Sequence, residues 1–222
     1  NGLLLPTDGT VWVGEMDTKD EEHIWDVRKT AGMVFQNPDN QIIGTSVEED
    51  VAFGPENKNI EPEKIRKIVE TVLRKVKLWD RRKASPSILS GGQKQRLATA
   101  DALAGLPACL VLDEPTAMLD PDSRKEVINI VKELNRKEGM TIILITHHTD
   151  EVVDADRIVL MKDGKIIGDD IPKKIFADYE LLKKAKMDIP PVVELGMRLE
   201  KQQIGLEGPV LQEQEMIEKI VK

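Results

Sequence analysis

The amino-acid sequence predicts an α/β fold with a mainly parallel sheet, and three observations predict it. Two uninterrupted apolar runs of strand length, "ACLVLDE" (108–114) and "MTIILITH" (140–147), stand either side of "DSRKEVINIVKELNRKEG" (122–139), whose Val127, Ile130, Val131 and Leu134 recur at helical spacing. Strand-like runs that alternate with amphipathic helices are the pattern of βαβ units, in which helices cover both faces of a parallel sheet and the strands lose their polar alternation. The third observation is composition: 222 residues with 40% hydrophobic content can bury a substantial core, and with aromatics at 3% that core must be built from Val, Ile and Leu.

The elements follow in order. "NGLLLPTDGT" reads as mid-protein sequence, a Leu run ending at Pro6 resembling the tail of a helix, so Asn1 is expected not to be the natural start. From "GTVWVGEMDT" (9–18) through "TAGMVFQ" (30–36), β-branched and apolar residues predict short strands. "PEKIRKIVETVLRKVKL" (62–78) is an amphipathic helix: Pro62 suits the first turn, and Ile65, Ile68, Val69, Val72, Leu73 and Val76 form one face. Gly139 stops the helix that begins near 122. "RIVLMKDGKIIG" (157–168) predicts a hairpin turning at Asp163–Gly164. Beyond about Ile171 the pattern is mixed and helical, and "DIPPVVELGMRLEKQQIG" (188–205) suggests a small C-terminal appendage.

Composition excludes several classes. With 32 basic and 40 acidic residues the net charge is −8, which argues against binding a nucleic-acid backbone. The longest apolar run, "MTIILIT" (140–146), falls far short of the roughly 20 residues of a membrane-spanning helix, so work at a membrane would go through a partner. The single cysteine, Cys109, excludes a disulfide framework and fits a reduced, cytoplasmic setting; it reads as a small buried hydrophobe.

Four stretches carry chemistry. In "LSGGQ", Ser90 is a good helix N-cap, and Gly91 and Gly92 let another group approach amides at the positive end of the helix, the makings of an anion site; a Ser-capped helix entered through a flexible turn has the same sequence. The run "CLVLDE" delivers Asp113 and Glu114 at its carboxyl end, where ligands bind in open α/β sheets. There Asp113 can help hold Mg²⁺ through its water shell and Glu114 can polarise an attacking water, or both can simply end a strand before the rigid Pro115. "TIILIT" ends at His147 and His148, and on a neighbouring strand His147 can reach the same phosphate and water as Glu114; neither histidine has the company of a zinc site. Gln36 follows the strand-like "GMVF" and opens the loop "QNPDNQIIGTSVEEDVAFG", where a glutamine can touch metal or water and move with a docked partner.

Taken together, "LSGGQKQR", "LVLDEPTAMLD" and "ILITHH", with Asp113 23 residues past Ser90, resemble the signature, Walker B, D-loop and switch-histidine motifs of ATP-binding cassette (ABC) ATPases. "VFQNPDNQIIGTSVEEDVAFGPEN" and the tail "LLKKAKMDIPPVVELGMRLEKQQI" further resemble the energy-coupling-factor branch, which powers import of cobalt, nickel and vitamins. The resemblance implies a P-loop NTPase-like ABC ATPase core, ATP and Mg²⁺ as cofactors, and a place at the cytoplasmic face of the membrane. It assigns Gln36 to the glutamine loop, Ser90, Gly91, Gly92 and Gln93 to the signature, Asp113 to the Walker B aspartate, Glu114 to the catalytic glutamate, Asp120 to the D-loop and His147 to the switch histidine; Asp113 and Gln36 would serve the metal. The implied partners are a second ABC ATPase subunit, identical or different, paired head to tail so that each signature closes on ATP held by the other, together with a transmembrane coupling subunit and a substrate-binding membrane subunit. The implied layout is a nucleotide-binding domain over 1–170, with a helical subdomain at about 38–90, and a C-terminal extension over 171–222.

Two departures qualify the match. No G-x-x-x-x-G-K-[ST] phosphate loop occurs in these residues, so the chain as written is expected to bind ATP poorly by itself, and such a loop is expected ahead of Asn1. Asp101 stands among alanines where the family usually has a small residue, and either faces solvent or weakens packing. The rival readings are a non-catalytic, regulatory ABC-like half, against which the intact Asp113–Glu114 and His147 argue; a DNA-repair or chromosome-organising ATPase, against which the charge and the lack of a long coiled-coil insertion argue; and a ribosome-acting factor, which normally carries two cassettes.

Overall fold

The computed structural model describes residues 1–201 and 210–220, and the chain divides into two compact units, Asn1–Thr146 and His147–Lys222. The first unit opens with a two-stranded antiparallel pair, β1 (Trp12–Val13) and β2 (Met16–Asp17), then helix α1 (Ile24–Thr30), which runs straight into strand β3 (Ala31–Val34). Sequence periodicity points to strands here but not to α1, whose seven residues bury only Val27 and so carry no apolar stripe.

The centre of the unit is a three-stranded parallel sheet in the order β3–β4–β5, with β4 at Cys109–Asp113 and β5 at Thr141–Ile145. Its register places Val34 beside Leu112, and Asp113 beside Ile145. Helices α2 (Val47–Asn57), α3 (Pro62–Lys75), α4 (Gly91–Ala104) and α5 (Pro121–Glu138) supply most of the remaining core. On α3 the expected face is buried at Ile65, Val69, Val72 and Leu73, with Ile68 packed at its margin. After α3, the ring of Trp79 has two guanidinium groups over it, Arg74 at 4.9 Å and Arg82 at 4.5 Å.

The ends of α5 show why its limits are legible. Asp120 caps the start, Pro121 occupies the first turn where its missing N–H costs nothing, and Gly139 closes the end in the left-handed conformation (φ 68°) that a side chain would resist. Along β4 burial alternates: Leu110 and Leu112 are fully buried among the helices, whereas Val111 and Asp113 are half-buried on the opposite face. That second face differs from expectation, because Ile143 and Ile145 of β5 are 49% and 47% exposed. An apolar residue does not oblige a cover, so a continuous apolar run reveals strand character without saying that both faces are buried.

In the second unit, β6 (Ile158–Lys162) and β7 (Lys165–Asp170) form the expected hairpin, with a bulge at Leu160–Met161. Asp163 and Gly164 both take positive φ (49° and 73°), the geometry that matches the twist of the two strands. Arg157 grips Asp169 across the hairpin by two bonds of 2.6 Å. Helices α6 (Pro172–Ala177), α7 (Tyr179–Ala185), α8 (Pro191–Lys201) and α9 (Glu213–Ile220) follow, and Ile158, Leu160, Phe176, Leu182 and Val193 lie in a separate core. Of the predicted helical tail, residues 202–209 lie outside the described residues.

Leu112 is fully buried between strand and helices. Leu112→Ala is expected to destabilise the protein by about 2–5 kcal/mol, read from the midpoint of urea unfolding.

Candidate functional site

Glu114 is the focus of the site. It follows the last residue of β4, and its N–H donates to the Ile145 carbonyl at 2.9 Å, extending the parallel ladder by one step. Its φ is 44°, a left-handed conformation that a residue with a side chain adopts at a cost of order 1–3 kcal/mol. Pro115 and the fully buried Thr116 follow immediately, so the strained peptide is held on both sides.

Gln36 reaches this carboxylate. Its side-chain amide donates to Glu114 Oε2 at 2.8 Å, a contact between residues 78 apart in sequence that exists because β3 and β4 are parallel neighbours ending side by side. Asp113, next in line, is half-buried and pairs with Ile145 in the ladder.

Two residues that sequence reasoning passes over hold Gln36 in place. Gln41 accepts the N–H of Phe35 at 2.7 Å, and Gln95 of α4, 1% exposed, donates to the carbonyl of the same residue at 3.3 Å. The peptide before Gln36 is thus held from both sides, once from its own loop and once from the helix. The signal for Gln95 was present in its spacing: it falls three residues after Gly92 and four before Thr99, a polar residue on the inward face of a helix.

Ser90 caps α4 as expected, in a reciprocal box: Ser90 Oγ accepts the N–H of Gln93 at 3.3 Å, and Gln93 Oε1 accepts the N–H of Ser90 at 3.0 Å. The amides of Gly91 and Gly92 lie in the first turn, where a helix offers them no partner. The two glycines differ, however. Gly91 is exposed, but Gly92 is buried, and a Cβ on it would sit 2.7 Å from both Cβ and Oγ of Ser123. The close approach that requires glycine at 92 is therefore made by α5 of the same chain, and it sets the N-terminus of α4 against that of α5. Asp120 is exposed and committed to the second of these ends, accepting from the amides of Asp122 (3.1 Å) and Ser123 (3.0 Å); the Ser123 hydroxyl first, then these amides, hold its carboxyl below the usual range.

The structure therefore brings Gln36, Asp113 and Glu114 to one end of the sheet, and Ser90, Gly91, Gly92, Gln93 and Asp120 to two adjoining helix starts. His147 opens the second unit, two residues past the end of β5, its ring 4.3 Å from that of His148. The oxygen donors available beside Glu114, the Asp113 carboxylate and the Gln36 amide oxygen, are hard and few, which suits a cation such as Mg²⁺ that keeps most of its waters. The adjoining helix starts suit phosphate.

The comparison with known proteins decides among the folds that end strands in acids. The model of the ABC transporter family matches residues 1–117, and the energy-coupling factor transporter ATP-binding protein EcfA1 of Caldanaerobacter subterraneus subsp. tengcongensis is 56% identical over all 222 residues, covering 80% of that relative. The chain belongs to the ABC transporter ATPases. Within them it belongs with the energy-coupling factor ATP-binding proteins: that of Clostridium novyi is 52% identical over 98% of this chain and 78% of its own. Among solved structures, cbiO1 of Clostridium perfringens, described as part of the ABC transporter complex cbiONQ, superposes with a TM-score of 0.75 at 35% identity, covering 90% of this chain and 79% of the other. The ATP-binding cassette MJ0796, a dimer bound to ADP and Pi after hydrolysis, gives 0.67 at 30% identity over 77% of this chain and 76% of its own.

Gly92→Ala should destabilise this ABC ATPase by about 1–3 kcal/mol through overpacking against Ser123. Adding Ser123→Gly should recover most of the loss in thermal unfolding, since the clash is with that side chain.

Proposed function

We propose that this chain is the ATP-binding and hydrolysing subunit of an energy-coupling-factor importer, and that Glu114 is its catalytic carboxylate. The observation that carries the reading is the 2.8 Å bond from Gln36 to Glu114, which couples the residue best placed to activate water to the loop best placed to sense a partner. Glu114 orients and polarises the attacking water, its direction set by the strained backbone and by Gln36. Asp113 and the oxygen of Gln36 would hold Mg²⁺, which when bound would neutralise charge on the phosphates. His147 stabilises the γ-phosphate as charge shifts. Ser90, Gly91, Gly92 and Gln93 present the start of α4 to ATP held by a second cassette, identical or different, with Asp120 keeping the adjoining start of α5 in shape.

The partner in the membrane docks on the loop after Gln36 and on α2. There Ile43 is 61% and Phe53 48% exposed, apolar surface on the loop and helix that follow Gln36 in the chain. Among the described residues no helix is long and apolar enough to cross a membrane, which fits a peripheral subunit on the cytoplasmic face, bound through a coupling subunit that works with a substrate-binding membrane subunit. On this reading residues 1–170 make the nucleotide-binding domain, with the helical subdomain at about 38–90, and 171–222 the extension.

Glu114→Gln, in protein assembled with its partner cassette, is expected to cut steady-state ATP hydrolysis about 100-fold or more while ATP stays bound. Unchanged turnover would remove Glu114 from the role. Introducing a charge at the docking surface, as Phe53→Glu, is expected to abolish co-purification with the coupling subunit.

A further inference from the structure

Asp50, in the first turn of α2, is 4% exposed, and its two carboxylate oxygens have opposite surroundings. Oδ1 accepts the N–H of Ile43 at 2.8 Å and that of Gly44 at 2.6 Å. The loop is drawn so tightly onto α2 that a Cβ on Gly44 would lie 2.5–2.7 Å from the N, Cα and Cβ of Asp50. Oδ2 is buried and meets no donor. From α4, which packs against α2, Asp101 feels the charge of Asp50, and both oxygens of Asp101 are likewise shut off from solvent without a hydrogen-bond partner. The carboxylate among alanines thus neither faces solvent nor stands alone.

Among the described residues no cation comes to this pair. Lys83 goes to Glu48, Lys94 to Asp39 and Arg96 to Glu126, while Lys58 donates to the Gly105 carbonyl. Glu49 is bonded to Thr45, α3 keeps Lys64, Arg66 and Lys67 exposed, and β3 carries no charge. Burial holds the Asp101 carboxyl well above the usual carboxylate range, and Asp50, the one charged group among the described residues that acts on it, adds to this. Buried carboxylate oxygens without donors, Oδ2 of Asp50 and both of Asp101, are costly, and a single proton satisfies an oxygen of each residue.

We propose that Asp101 and Asp50 share one proton, the Asp101 carboxyl O–H donating to Asp50 Oδ2, and that this bond is the joint by which α4 holds α2 and the loop from Gln36 to Ser46. The proton belongs on Asp101 because two N–H groups face Asp50 and none faces Asp101. The joint makes the seating of the Gln36 loop depend on pH. A carboxyl whose folded value is raised contributes stability that is complete below the unfolded aspartate value, about 3.9, and is lost as pH rises through the folded value.

The test compares thermal unfolding of the full chain and of Asp101→Asn from about pH 4, close to the ordinary aspartate value, upward to about pH 9. An Asn amide keeps a donor toward Asp50 at every pH, so the wild type should lose Tm relative to the variant as pH rises, with the steepness of one proton. Curves that run parallel would overturn the proposal, as would selective stabilisation of the wild type by added KCl or MgCl₂, which would make the bridge a cation. A ¹³C titration of aspartate carboxyls in the wild type is independent of how the variant folds. One carboxyl should stay protonated well above the ordinary aspartate range, and the signal should be absent from Asp101→Asn; if every aspartate titrates within that range, the joint does not exist.

Discussion

The buried amide of Gln95 is the constraint on which the rest of the site depends. A polar side chain sealed inside a helix–sheet interface must find partners or cost the protein a few kcal/mol, and the acceptor within reach is the carbonyl of Phe35, the last backbone group before Gln36. Meeting that demand ties α4 to the end of β3. Gln41 takes the N–H of the same residue, and Gln36 is then left pointing along the sheet end at Glu114. Helix α4 is capped by Ser90, so one rigid rod links that helix start to the residue that contacts Glu114.

That linkage explains how an ATPase of this family can be sensitive to its neighbours. The loop after Gln36 is anchored at its base by Gln95 and Gln41, pinned in the middle by Asp50, and exposed at Ile43. A partner that moves the loop has a short path to Glu114, whose left-handed backbone is held by the Ile145 carbonyl and therefore cannot follow freely. Strain at that position keeps the carboxylate aimed while the glutamine moves.

Much of this was legible in the sequence, and the legible parts share a cause. The helix starts and stops at Ser90, Pro62 and Gly139, and the turn at Asp163–Gly164, are local backbone chemistry, which one residue decides. The illegible parts depend on residues distant in sequence. Gly92 reads as an open approach for a ligand, yet Ser123 fills that space. Asp101 reads as a solvent or packing oddity because its neighbour, Asp50, is 51 positions away. Ile143 and Ile145 read as buried, since apolar character does not tell which face a helix will cover.

The most direct test of the central claim is a double-mutant cycle on ATP turnover between Gln36→Ala and Gln95→Leu, with both variants confirmed folded. If Gln95 acts by seating Gln36, Gln95→Leu alone should slow turnover about as much as Gln36→Ala, and the double variant should be no slower than either. Independent, multiplying effects, or full turnover in Gln95→Leu, would show that the buried amide does not govern the site.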